Sequence, residues 1–89
     1  MDASERRQAR ATAVRIAVAR WPSCWLAIRR RYQARVTELE AEGIGFGLTP
    51  AEARVDAVLL AYVEVTRQAE AAGICIPSLA PPEALEAAA

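Results

Sequence analysis

The chain contains no histidine and no lysine. Without His, the usual general base near neutral pH is missing, and no Asp–His or Cys–His pair is available to activate a nucleophile. Two cysteines without a His also make a poor zinc site. Ser4, Ser23, Ser78, Thr12 and Thr49 read as caps, turn residues or surface, and the acids scatter over helix surfaces. The expectation is a non-enzymatic protein with no catalytic residue, no cofactor and no metal.

Long apolar runs are absent too. None approaches the roughly 20 residues that a membrane-spanning helix needs, so no membrane partner is expected. The opening MDASERRQARATAV lacks the uninterrupted apolar core of a secretory signal. A cytoplasmic location follows as an expectation, with Cys24 and Cys75 as reduced, partly buried thiols. The alternative is a disulfide, worth about 4 kcal/mol in the chain-entropy model, if an antiparallel hairpin brings the two cysteines together. The loop Gly43-Ile44-Gly45-Phe46-Gly47 has neither the Gly-Lys-Ser/Thr of a Walker loop nor the G-x-G-x-x-G spacing of a dinucleotide loop. Ile44, Phe46 and Leu48 are instead expected to fold back onto the open end of a helix pair.

Bulky core formers are scarce, with one Phe, two Trp and two Tyr, and alanine inflates the 54% hydrophobic content. Alanine favours helix and close helix packing while adding little hydrophobic free energy per residue. A chain of 89 residues makes one small domain. Such a domain buries only about 60–65% of its unfolded surface, so a partner or self-association is a reasonable stabiliser.

The 49–73 stretch, TPAEARVDAVLLAYVEVTRQAEAAG, is the best-defined element. Thr49 is an N-cap, Pro50 suits the first helical position, and Glu52 completes a Thr-x-x-Glu capping box. Gly73 is a left-handed C′ residue with Ile74 positioned for the accompanying apolar contact. Val55, Val58, Tyr62, Val65, Ala69 and Ala72 recur at helical spacing, and Leu59 widens the stripe. Leu60 and Val63 extend the apolar surface further, so one partner helix would leave part of it bare.

A second helix is expected over 22–43. Its stripe of Trp25, Ile28, Tyr32, Val36 and Leu39 falls within about 80° at 100° per residue. It ends in Glu38, Glu40 and Glu42, the unfavourable sign for a helix C-terminus. A cation from elsewhere, Arg54 or one on the first helix, is therefore expected beside it. A first, basic helix over 1–21 starts at Ser4 and stops before Trp21-Pro22, burying Ala11, Val14, Val18 and Trp21. The tail, 74–89, is expected to hold one short helix after Pro81-Pro82. The fold class is thus all-α: a small three-helix domain over 1–89, built on an antiparallel hairpin. Glu40-Ala41-x-Gly43-Ile44-x-Phe46 also echoes Glu70-Ala71-x-Gly73-Ile74-x-Ile76. Either this is a degenerate helical repeat, or two helices simply end and restart in the same way.

Charge is the remaining signal. Residues 1–37 hold nine arginines against two acids, a balance of +7, and residues 38–89 hold two arginines against nine acids, a balance of −7. Arg29, Arg30, Arg31 and Arg35, with Arg6, Arg7 and Arg10 ahead of them, form a basic cluster suited to carboxylates or phosphates. A solvated helix face paired with the acids of the third helix would explain the same residues. So would codon bias toward Arg and Ala. The leading expectation is an adaptor, regulator or inhibitor. It would dock on a larger assembly, or self-associate, through Arg29, Arg30, Arg31, Arg35 and Leu60. The alternative is a nucleic-acid-associated protein, or an inhibitor occupying a nucleic-acid path on another complex.

Overall fold

Asp2, rather than Ser4, starts the first helix. A computed structural model describes residues 2–79 of the chain. In it the Asp2 carboxylate accepts from the Glu5 backbone N–H at 2.7 Å, capping α1, Ala3–Ala19. Aspartate two positions earlier caps as well as serine and adds favourable charge at the positive helix end. Pro22 then stops the helix, and Ser23–Trp25 forms a 3₁₀ turn that leads into α2, Leu26–Gly45. The expected boundary at Pro22 therefore holds a 3₁₀ turn, and the α-helix begins only at Leu26.

At its other end α2 runs two residues beyond Gly43. Gly47 is the left-handed C′ residue (φ 96°), its N–H donating to the Ile44 carbonyl while the Leu48 N–H donates to that of Gly43. The same pair of bonds ends α3, Pro50–Ala71: Gly73 (φ 89°) donates to Glu70, and Ile74 donates to Ala69. Both are Schellman endings, where glycine takes the left-handed position without steric cost. Gly43 and Gly73 are therefore not equivalent. Gly43 lies inside α2 against α3, where a Cβ would sit 3.1 Å from that of Ala53. The sequence echo does not correspond to a structural repeat, and the short tail helix expected after Pro81-Pro82 lies outside the described residues.

Thr49 caps α3 as expected, accepting from the Glu52 N–H at 3.2 Å, with Pro50 at the first turn. Only half of the capping box forms, because the Glu52 carboxylate accepts from the Thr49 hydroxyl rather than from its backbone. The four residues Phe46–Thr49 turn the chain, so that α2 and α3 pack antiparallel along most of their length. Helix α1 crosses onto α3 and approaches α2 only sparsely. The described residues thus form an all-α, three-helix domain, and no helix among them is long and apolar enough to cross a membrane.

The core follows the expected stripes and adds a row of small residues. Ala11, Val14, Val18 and Trp21 are buried from the first segment; Ile28, Tyr32 and Val36 are buried from α2, with Trp25 and Leu39 packed at the edge. From α3 the core takes Val58, Val65 and Ala69, together with Ala53, Ala57 and Ala61. Ala72, expected in the stripe, is exposed because it already lies past the helix end. Trp21 is the hub. Its ring stacks on Tyr62 at 6.2 Å and meets Trp25 and Tyr32 edge-on at 5.9 and 6.2 Å.

Candidate functional site

Consecutive residues on a helix step by 100°, so Arg29, Arg30 and Arg31 cannot share one face. Arg29 turns toward α1. Its Nη2 donates to the Val18 and Trp21 carbonyls, each at 3.0 Å, and so places a cation at the negative end of that helix. Arg31 turns the other way and donates to the Gln68 side chain at 3.3 Å. Arg35 lies on that same side, holding Glu64 through Nε at 2.7 Å and Nη2 at 3.2 Å, and Glu38 through Nη1 at 3.1 Å. Arg30 is exposed between them and pairs with no acid among the described residues. The structure brings Arg31 and Arg35 together and separates them from Arg29 and Arg30.

Part of the charge division between the halves is resolved inside the fold. Arg7 of α1 pairs with Asp56 of α3, and Arg35 of α2 with Glu64 of α3. Arg54 donates to Glu40 at 3.0 Å, the cation that the acidic end of α2 calls for.

The Arg35–Glu64 fork has a pH signature. Its hydrogen bonds to Arg35 hold the Glu64 carboxyl below its ordinary value of 4.5 and push the Arg35 guanidinium further up. A carboxylate with a depressed folded-state pKa contributes stability above its unfolded value, and that contribution is lost as pH falls through the folded value. Glu64→Gln should therefore destabilise the domain at pH 7 and do so progressively less as pH falls below about 4. Urea midpoints of both proteins across that range check it. An effect of equal size at both ends of the range would show that the pair contributes nothing through charge.

Leu60, at 53% exposure, and Val63, at 40%, sit one turn apart on the outer face of α3. Asp56 lies one turn before Leu60 and Glu64 one turn after it. Each is engaged by an arginine from a different helix, and Arg67 extends the same face beyond Val63. The result is a small apolar centre with an arginine-bearing rim. Arg7 was legible only as part of the basic run; its place on this rim depends on how α1 crosses α3.

Phe46 differs most from the sequence expectation. It is 89% exposed and Ile44 is 48% exposed, so neither folds back onto the hairpin. The two further helical residues of α2 carry Phe46 to the cap position, pointing off the tip. Only Leu48 packs inward, its Cδ1 lying 3.3 Å from where a Cβ at Gly43 would be.

The remaining candidate chemistry is structural. The Thr12, Thr37 and Thr66 hydroxyls donate to carbonyls one turn back in their own helices. Cys24 and Cys75 are free and exposed rather than half-buried. Among the described residues no three His, Cys, Asp or Glu side chains cluster as a metal site would require. Set against protein-family models, curated protein sequences and solved structures, the chain matches none.

Proposed function

We propose that the chain is a non-enzymatic protein-interaction module, a small adaptor, regulator or inhibitor that docks on a larger assembly. The supporting observation is the outer face of α3, where Leu60 and Val63 stand exposed inside a rim of Arg7, Arg35 and Arg67. Interfaces commonly have this composition: an apolar centre that is desolvated on docking inside a polar rim, here two arginine–acid pairs with Arg67 beside them. The partner would present an apolar pocket with an acid facing Arg67. A cytoplasmic setting suits the exposed thiols of Cys24 and Cys75, which stay reduced there.

The test compares the native chain with Leu60→Glu/Val63→Glu as bait in affinity capture from host lysate, with and without nuclease. Both positions are exposed, so melting should barely change, whereas two charges in a desolvated centre should weaken docking by at least about 30-fold. A partner retained equally by both baits would sink this reading. Nucleic-acid association is the second reading, favoured by Arg20 and Arg30, which are exposed and pair with no acid among the described residues. It requires that retention be lost on nuclease treatment and that binding fall steeply with salt.

A further inference from the structure

A groove runs between α1 and α2 over the middle of α3, and three arginines from three different helices line it: Arg15, Arg29 and Arg54. Its floor is apolar, formed by Val18, Val36 and Val58, all at 6% exposure or less. Among the described residues no acid lines it. Three other grooves among the described residues that hold an arginine differ. The one holding Arg7 also holds Glu52 and Asp56, and the one holding Arg10 also holds Glu70. The groove with Arg20 gathers no second cation.

The three arginines are not equally free. Arg29 is fixed by the Val18 and Trp21 carbonyls through Nη2 alone, which leaves its Nε and Nη1 donors in a set orientation. Arg54 shares one Nη1 donor with Glu40, which offsets part of the local charge. Arg15 is exposed and pairs with no acid among the described residues. Burial raises the pKa of the Tyr32 hydroxyl at one side of the groove, and the charges of Arg15 and Arg54 pull it back down.

We propose that this groove binds a small organic anion, its carboxylate head held by Arg15 and Arg54 and its apolar body lying on Val18, Val36 and Val58, with Arg29 lining the far end. The groove volume of about 390 Å³ falls within the range of small-ligand sites. Guanidinium forks match a carboxylate bidentately, while the valine floor favours an anion with a hydrocarbon body over inorganic phosphate. The site lies away from the outer face of α3, so it does not depend on the docking reading.

The experiment is a heteronuclear NMR titration of the full chain with octanoate, 1-octanol and inorganic phosphate. Octanoate is expected to shift the amides of Arg15, Val18, Gln33 and Val58 saturably, with octanol and phosphate each at least tenfold weaker. Arg15→Gln should weaken octanoate about fivefold or more while leaving the melting temperature unchanged, since its side chain is exposed. Arg6→Gln, an equal charge change on an exposed turn outside the groove, should leave the affinity as it was. The proposal is overturned by any of four results: no saturable shift at these residues, octanol binding as tightly as octanoate, Arg15→Gln binding like the native chain, or Arg6→Gln weakening it equally.

Discussion

Trp21→Ala is expected to destabilise the domain by about 3–5 kcal/mol, the usual range for truncating a buried tryptophan. Trp21 is 7% exposed and touches three other aromatic rings drawn from the 3₁₀ turn, α2 and α3. Its removal opens a cavity where all three segments meet. A domain of this length has a total stability of only about 4–13 kcal/mol. The melting temperature should therefore fall by more than about 12 °C. Trp21→Phe separates cavity from aromatic contact: keeping one ring should recover more than half of the loss. Urea unfolding followed by far-ultraviolet circular dichroism measures both. A loss below about 1 kcal/mol for Trp21→Ala would mean that the hub is not the organising contact.

Trp21 is legible in the sequence, because it falls on the stripe of Ala11, Val14 and Val18 and precedes a proline. The stripes of α2 and α3 were legible for the same reason: bulky residues at 3.6-residue spacing on a soluble helix mark the buried side. The helix ends were only partly so. A lone Gly73 after a periodic segment has one reading, but Gly43, Gly45 and Gly47 offer three possible stops. Which one takes the left-handed position depends on where Leu48 can reach. With α3 in place, Leu48 packs beside Gly43, the helix runs on to Gly45, and Phe46 is left outside. Local rules name the kind of ending; tertiary contact picks the residue.

The charged surface was less legible than the core. A run of arginines in sequence looks like one patch, whereas the 100° step distributes Arg29, Arg30 and Arg31 around α2. Arg35 and Leu60 come to lie at one edge because Glu64, a turn after Leu60, is where Arg35 finds its carboxylates. The grouping of Arg15, Arg29 and Arg54 has no signature in sequence. They stand on three different helices, and only the packing of those helices brings them to one groove. Ion pairing between helices is a tertiary property, and alternating charges along a chain do not encode it.

Ala61→Leu should destabilise by about 1–3 kcal/mol, although transfer free energy alone would credit the larger side chain with roughly 2 kcal/mol in its favour. Ala53, Ala57 and Ala61 recur every fourth residue at 1% exposure or less, which makes them one row along α3. Ala53 lies against Gly43 of α2, and Ala57 and Ala61 continue the same buried row into the core. Small residues there are what permit the contact. Inserting three carbons at a fully buried position beside Val58 and Val65 forces the helices apart or the leucine off its rotamer. Ala34→Leu, on the exposed side of α2, is the control and should change stability by less than about 0.5 kcal/mol. If Ala61→Leu instead raised the urea midpoint, the alanine row would be an underfilled core rather than a tightly packed seam. The scarcity of bulky residues would then limit stability here, whereas a tight seam means that the same scarcity sets the spacing of the fold.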